Sequence, residues 1–312
     1  MSLRKDLLEK YGIRKTKAQK SDFISYAESY AKGLGYAVKV EGKGDSIRNI
    51  VIGDVSRAKV VYTAHYDTPP TMILPNFITP KNIFIYILYQ IMLVALLLVL
   101  PLGLALVLKY TVPDFADGTV PLIVFILLYY AEMFLMLYGP ANKHNSNDNT
   151  SGVATVLGIA ERLAGQGAPA AFVLFDCEER GLLGSKLFNK QHKDLMKNKL
   201  VLNFDCVSDG EYMMFVGKRG SRDKVPLIEE AFPSGDGISC LYETKWVIYP
   251  SDQSSFPVGV GVAAMQRTKG GLLYTDKIHT PRDVVFEGRN IDFLVDGGVR
   301  LALSFTDENT PV

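Results

Sequence analysis

The sequence has few cysteines and no excess of charge of either sign. Cys177, Cys206 and Cys240 fit neither a disulfide framework nor a paired structural zinc site, so we expect them to be small apolar side chains in the interior. Lysine and arginine total 34 against 33 acidic residues, which gives a formal net charge of +1. This balance argues against nucleic acid as a partner.

Internal repeats and low-complexity segments are also missing, as is a linker rich in proline, glycine or serine that would separate two large domains. The first 40 residues are charged and lack the apolar core of a secretory signal. We therefore expect one large domain without an N-terminal export signal.

Hydrophobic residues make up 48% of the chain, and their excess lies in one region. The runs 83–108 and 120–138 contain a single charged residue, Glu132. Since about 20 apolar residues can cross a bilayer as a helix, we predict a transmembrane helical hairpin within 81–139. The alternatives are a helical hairpin buried in a soluble core and a hydrophobic dimerisation arm.

The orientation of this hairpin is suggested by a small charge bias. Lys81 and Lys143 lie on the flanks that face the rest of the protein, whereas the connecting loop combines Lys109 with Asp114 and Asp117. With the missing signal and the unpaired cysteines, this bias favours an integral membrane protein whose main domain is cytoplasmic.

Outside the hairpin, short apolar runs alternate with amphipathic stretches, which predicts an α/β fold, a three-layer sandwich with a mostly parallel central sheet. This domain comprises 1–80 and 140–312. The predicted strands are 49–53, 59–65, 170–176, 199–205, 212–217 and 259–265. The predicted helices are 21–34, 151–163, 182–191, 223–231 and 292–305.

Several predicted strands end in acidic residues or histidine. These residues are His65, Asp67, Asp176, Glu178, Glu179 and Asp205. Ligands of open α/β sheets bind beyond the carboxyl ends of strands, although any one of these acids could merely cap a helix or face water. Histidine and carboxylate ligands suit zinc, and two zinc ions about 3.5 to 4 Å apart can share a carboxylate. Adjacent side chains diverge at a strand end, so one glutamate of the doublet can bind metal while the other faces the bound water.

Six blocks in a fixed order make the pattern more specific. They are H-Y-D at 65–67, N-D-N-T-S-G at 147–152, C-E-E-R-G-L-L-G-S at 177–185, N-F-D at 203–205, S-D-Q-S-S-F at 251–256 and I-H-T-P-R-D at 278–283. Together they resemble peptidase family M28, the zinc exopeptidase family of bacterial leucyl aminopeptidase and aminopeptidase S. The resemblance implies the zinc exopeptidase fold over nearly the whole chain apart from the hairpin.

The resemblance also implies roles for individual residues. The implied two-zinc site has His65 and Asp205 on one ion, Glu179 and His279 on the other, and Asp148 as the bridge between them. Asp67 is implied to accept the second ring N–H of His65, and Glu178 to be the general base that takes a proton from metal-bound water, with hydroxide as the nucleophile. Manganese or cobalt could replace zinc at such ligands.

Three other residues depart from the family pattern or lie outside it. Gln253 stands beside Asp252 in a loop that lines the substrate pocket in relatives, at a position where histidine is common. His144 and His192 match no family ligand, so we expect a solvated loop or lipid-headgroup neighbour for the first and a surface helix for the second.

The hairpin interrupts the site itself, since it lies between His65 and Asp148. Only 17 residues separate His65 from Ile83, so the metals must lie at or near the bilayer surface. The sequence thus predicts a membrane-anchored di-zinc aminopeptidase acting on peptides that are hydrophobic or derived from the membrane, or one whose hairpins form a homo-oligomeric chamber for short peptides. The alternatives are a carboxypeptidase or dipeptidase of the same clan, a glutaminyl cyclase and a catalytically silent membrane scaffold.

Overall fold

Nine strands form one mixed sheet in the computed structural model, which describes residues 3–307. In chain order they are β1 (Val38–Gly42), β2 (Arg48–Ile52), β3 (Val60–His65), β4 (Ala170–Phe175), β5 (Leu200–Phe204), β6 (Tyr212–Gly217), β7 (Ser239–Glu243), β8 (Gly259–Arg267) and β9 (Leu273–Tyr274). Their order across the sheet is β1-β2-β4-β3-β5-β8-β6-β7, with β9 paired to β8. The outermost ends of the predicted domain, residues 1–2 and 308–312, lie outside the described residues.

The four central strands, β4, β3, β5 and β8, are parallel to one another. Antiparallel pairs flank them, because β2 runs against β4 and β6 runs against β8. The carboxyl ends of β3, β4 and β5 therefore open on one side, which we call the carboxyl edge. The predicted α/β fold with a central sheet is confirmed; besides the central strands, the edge pair β6 and β7 is also parallel.

Helices cover both faces of the sheet. The α-helices of residues 3–307 are α1 (Leu3–Glu9), α2 (Lys17–Gly33), α3 (Ile83–Thr111), α4 (Thr119–Tyr138), α5 (Gly152–Leu163), α6 (Leu183–Gln191), α7 (Lys193–Met196), α8 (Val225–Ala231) and α9 (Gly288–Asp307), of which all but α3 and α4 pack on the sheet. Helices α1, α2, α5, α8 and α9 share one buried core with the sheet, and α6 and α7 share a second core on the opposite face. This arrangement gives the three predicted layers.

Strand periodicity explains why two cores form. Successive side chains of a strand point to opposite faces. Tyr62 and Phe172 accordingly lie in the core under α5 and α9, while their chain neighbours Val61 and Val173 lie in the core under α6. Because the central strands are buried on both faces, their sequences are continuous apolar runs.

Helices α3 and α4 form a hairpin that is mostly uncovered. Only 11% of the most apolar 18-residue window of α3 is buried, and only 6% of the corresponding window of α4. Helix α3 begins where the side chain of Asn82 accepts a hydrogen bond from the Ile85 backbone N–H at 3.1 Å. By length and composition, both helices could cross a membrane. They coincide with the two predicted spans, and α3 continues three residues further, to Thr111.

Candidate metal centre

Side chains from five separate segments meet at the carboxyl edge. His65 ends β3, and Asp205 follows β5. Glu179 lies in the single turn Glu178–Arg180 that follows β4. The other two lie outside strands, Asp148 in the irregular segment before α5 and His279 in the loop before α9.

Asp148 lies between two histidines. Its Oδ1 is 3.2 Å from His65 Nε2, and its Oδ2 is 3.2 Å from His279 Nε2. His65 Nε2 is also 3.5 Å from Asp205 Oδ1, and His279 Nε2 is 3.4 Å from Glu179 Oε2. The five residues therefore form two groups that share the carboxylate of Asp148.

These separations fit the coordination shell of a metal ion. Ligand atoms bound tetrahedrally to zinc at 2.0 to 2.1 Å are roughly 3.3 Å apart. Imidazole nitrogen and carboxylate oxygen are ordinary zinc ligands, and manganese and cobalt accept them too. Glu179 Oε1 is buried without a hydrogen-bond partner among the described residues, so it has electron pairs to offer a cation.

Asp67 has a different contact from the one predicted. The nearest group to His65 Nδ1 is the backbone carbonyl of Asp67 at 3.2 Å, and the Asp67 carboxylate is 3.6 Å away, too far for a good hydrogen bond. The carboxylate instead accepts hydrogen bonds from the backbone N–H groups of Glu178 at 3.0 Å and Glu179 at 3.3 Å. Asp67 therefore holds the glutamate doublet against the end of β3.

A buried carboxylate that the sequence reasoning did not assign holds Asp148. Asp283 is the last residue of the I-H-T-P-R-D block, and it accepts hydrogen bonds from the backbone N–H groups of Asn147 at 2.8 Å and Asp148 at 3.0 Å. Burial, with the nearby charge of Asp148, raises the pKa of Asp283 to about 7. Asp283 is part of a recognisable motif, but the residue that it holds, Asp148, lies 135 positions earlier in the chain.

The asparagines beside Asp148 connect the same segment to β5. Asn149 accepts a hydrogen bond from the Cys206 backbone N–H at 3.3 Å and donates one to the Phe204 carbonyl at 3.0 Å. Asn147 accepts from the backbone N–H groups of Ser208 at 2.7 Å and Asp209 at 3.1 Å. The N-D-N motif thus fixes the position of the shared carboxylate.

Arg14 supports the site from the N-terminal segment and was not predicted. It is fully buried, its Nε donates to the Tyr66 carbonyl, and a terminal nitrogen donates to Thr150 Oγ1 at 3.1 Å. Burial lowers the pKa of Arg14 to about 10, which leaves it positively charged near Asp67 and Asp148.

Glu178 differs from its neighbour Glu179. Within the described residues its carboxylate has no hydrogen-bond or ion-pair partner, and the residue is half-buried. Partial burial raises the pKa of Glu178 well above its ordinary value, and the nearby Glu179 carboxylate adds to the rise. Glu178 is thus a free carboxyl group able to exchange a proton beside the two groups of ligands.

Electrostatics at the ligands favour a cation. Burial and the charge of Asp148 raise the pKa of Glu179 well above its ordinary value. Burial also tends to raise the pKa of Asp148. The contacts of Asp148 with His279 and His65 outweigh the effect of burial, so the pKa of this carboxyl is lowered. Crowded carboxylates repel one another, and divalent cations relieve the repulsion.

The S-D-Q-S-S-F loop, 251–256, contacts β5 through Asn203. Gln253 donates to the Tyr249 carbonyl at 2.7 Å and accepts from Asn203 at 3.2 Å, so it is bound inside the protein. Asp252 is fully buried, and neither of its oxygens has a hydrogen-bond partner among residues 3–307. Burial raises the pKa of Asp252 to about 7.

His144, His192, Cys177 and Cys240 do not join the two groups of proposed ligands, whereas the Cys206 thiol lies within 4.8 Å of carboxylate oxygens of Asp148 and Asp205. His192 pairs with Glu41 at 2.7 Å on the surface, and His144 is exposed. All three cysteines are free; Cys177 and Cys206 are buried as predicted, and Cys240 is half-buried. The thiol of Cys206 lies 3.2 Å from Asp205 Oδ1, and burial raises its pKa well above the ordinary value, so it acts as a thiol donor to that ligand.

Comparison with known proteins agrees with this geometry. The model of peptidase family M28 matches residues 138–290, a range that contains the glutamate doublet and every proposed ligand except His65. A search of curated protein sequences finds no match.

Several solved structures share the fold. The LapA aminopeptidase of Legionella pneumophila has a TM-score of 0.58 at 14% identity, covering 97% of this chain and 69% of its own. A glutaminyl cyclase of Porphyromonas gingivalis has a TM-score of 0.56 at 17% identity, covering 96% and 94%. A leucine aminopeptidase precursor of Bacteroides thetaiotaomicron has a TM-score of 0.56 at 15% identity, covering 99% and 95%. At these identities the likeness shows the fold alone.

The α/β fold, the cluster at its carboxyl edge and the family match together support a peptidase. More narrowly, residues 138–290, just under half of the chain, are similar to peptidase family M28.

Proposed function

We propose that the chain is a membrane-anchored aminopeptidase that binds two zinc ions and removes N-terminal residues from peptides. The observation that carries the proposal is the position of Asp148, whose two oxygens each lie 3.2 Å from a different histidine. One carboxylate shared by two groups of ligands is the arrangement that a two-metal hydrolase needs.

In this proposal His65 and Asp205 hold one ion, Glu179 and His279 hold the other, and Asp148 binds both. When bound, such ions polarise a scissile carbonyl and lower the pKa of water. Glu178 is free of these contacts, so it is the proposed general base. It takes a proton from the attacking water and delivers that proton to the leaving amine, while Asp67 fixes its backbone.

The hairpin supports the membrane part of the proposal. We propose that 81–139 is an insertion into one catalytic domain formed by 1–80 and 140–312. Arg180, next to Glu179, donates a hydrogen bond to the Tyr138 hydroxyl at 3.2 Å and lies 5.2 Å from the centre of its ring. Because Tyr138 ends α4, the turn that carries the catalytic doublet contacts the end of an apolar helix. We infer that substrates are hydrophobic peptides or peptides released at a membrane.

A peptide-library digest by the purified enzyme, read by mass spectrometry with and without chelator, tests the function. We expect amino acids to be released from the N-terminus only, and chelator to stop their release. Release from the C-terminus would make the enzyme a carboxypeptidase. Loss of ammonia from N-terminal glutamine without release of an amino acid would make it a glutaminyl cyclase, an activity carried by a protein of similar fold. An inert preparation with bound metal would favour a scaffold.

A further inference from the structure

Three large apolar side chains are exposed on two loops that contact the chain next to the two ends of the hairpin. Ile73 is 100% exposed and Leu74 is 41% exposed on the first loop, 71–76. Trp246 is 86% exposed on the second loop, 244–250, and it is the only tryptophan of the chain. Exposed apolar groups of this size on loops beside an apolar hairpin indicate a surface that contacts another apolar phase.

Loop 71–76 connects the metal centre to the end of the hairpin. The backbone N–H of Met72 donates to the carbonyl of His279 at 2.7 Å. The preceding N–H, of Thr71, donates to the carbonyl of Pro140 at 2.8 Å, and Pro140 lies two residues beyond the end of α4. Ile73 and Leu74 therefore lie beside both a proposed ligand and the hairpin.

The same loop packs along α3. The Tyr89 hydroxyl donates to the Pro75 carbonyl at 2.7 Å, and the rings of Tyr89 and Phe77 are 5.2 Å apart. Tyr89 lies six residues into α3, which is about 9 Å along the helix axis. The interfacial layer on each side of a bilayer is roughly 5 to 7 Å thick. The loop thus reaches the depth at which α3 would enter the bilayer.

Loop 244–250 is connected to the other end of the hairpin. The backbone N–H of Ile248 donates to the Pro80 carbonyl at 3.0 Å, and Lys81 forms an ion pair with Glu243 at 2.5 Å. Pro80 lies three residues before the start of α3. Trp246 therefore lies two residues before Ile248, which is hydrogen-bonded to the segment just before α3.

We propose that Ile73, Leu74 and Trp246 insert into the interfacial layer of the bilayer that the hairpin crosses. This inference rests on the proposed membrane anchoring and names the lipid surface as the partner of the two loops. Tryptophan and tyrosine favour that layer because their rings are apolar and their polar atoms remain hydrated. The insertion holds the carboxyl edge against the lipid, so peptides reach the metal centre along the membrane surface.

Fluorescence of the single tryptophan tests the inference in the full-length protein. The protein is reconstituted into phosphatidylcholine and phosphatidylglycerol vesicles with brominated acyl chains. We expect these lipids to quench Trp246, aqueous acrylamide to quench it weakly, and the I73D/L74D variant to lose much of the lipid quenching. The matched control is R57W/W246F. The side chain of Arg57 is 88% exposed on the loop between β2 and β3, at the opposite edge of the parallel strands, so acrylamide should quench this variant and brominated lipid should not.

Two results would overturn the inference. One is a Trp246 as accessible to acrylamide as the control tryptophan and unquenched by lipid. The other is a Trp246 shielded from acrylamide without lipid quenching, which would mean that protein, such as a second copy of the chain, covers the surface. Extraction with alkaline carbonate distinguishes the anchoring of the protein in the membrane from the insertion of the two loops. Release of the protein would refute the anchoring itself, whereas retention with an unquenched Trp246 would refute only the insertion of the loops.

Discussion

Glu178 and Glu179 are adjacent, yet the structure gives them different surroundings, and this difference can be tested. Glu179 Oε2 lies 3.4 Å from His279 Nε2, whereas the Glu178 carboxylate has no such contact among the described residues. We expect Glu178→Gln to lower kcat/KM by about 10²- to 10⁴-fold, the usual contribution of a general base, with both metals retained.

Glu179→Gln is the matched control because it makes the same chemical change one residue away. It should lower the metal content as well as the activity, since it weakens a proposed ligand. Metal stoichiometry by mass spectrometry together with kcat/KM distinguishes the two variants. Equal loss of metal in both variants would show that the doublet has no division of roles.

Asp67 and Asp176 are both buried acids at strand ends, but they differ in what they hold. Asp67 accepts from the backbone of the glutamate doublet, and Asp176 forms an ion pair with the largely buried Lys20. We expect Asp67→Asn to lower activity or metal affinity by about 10- to 100-fold. Asp176→Asn should instead lower the free energy of unfolding by about 3 kcal/mol and leave the metal content unchanged. Chemical denaturation measures the free energy of unfolding, and metal titration measures the affinity for metal. If Asp67→Asn lost stability without any change in metal binding, the role given to Asp67 would be contradicted.

Sequence could identify the residues at the carboxyl edge but not all of what holds them. His65, Glu179 and Asp205 stand out because they end apolar strands. Asp283 and Arg14 do not, since their partners are backbone groups far away in the chain. A carboxylate that accepts two backbone hydrogen bonds has no pattern of its own in a single sequence.

At the scale of elements, the central strands were predictable and the edge strands were not. Strands β3, β4 and β5 are apolar throughout because both of their faces are buried. Strand β1 carries Lys39 and Glu41 and is half-exposed, and β7 at the opposite edge is only partly buried. Polar side chains make such edge strands look like loops in sequence. The same charges protect the edges of the sheet from pairing with other chains.

The hairpin can be removed as an element because it packs mainly on itself. We expect a chain in which a short glycine-serine linker replaces 83–138 to stay in the supernatant after ultracentrifugation, while the full chain sediments with membranes. The loss of contacts such as Tyr89 with Phe77 should lower stability by about 1 kcal/mol, or Tm by about 2–4 °C. Circular dichroism measures this Tm. A shortened chain that still needs detergent, or that does not fold, would show that the hairpin belongs to the core.

For the whole molecule, the concentration of acidic groups at one edge leads us to expect that stability depends on cations. Asp148, Glu179 and Asp205 lie together with Glu178 beside them, and the buried Arg14 is a counter-charge near Asp148. The formal net charge of +1 conceals this local excess. Folding brings these carboxylates together against their repulsion, so we expect bound metal to be a condition of full stability as well as of the proposed activity.

Removal of metal should therefore lower the melting temperature of the entire domain. Each ion present at 100 times its Kd contributes about 2.7 kcal/mol, so loss of two ions to a chelator should lower Tm by on the order of 10 °C. Added zinc should restore Tm. Asp148→Asn should remove most of this response because Asp148 belongs to both groups of ligands, whereas Asp176→Asn should keep it despite a lower starting Tm. Differential scanning calorimetry with and without chelator makes the comparison, and an unchanged Tm in the unmutated chain would mean that the five side chains hold no structural cation.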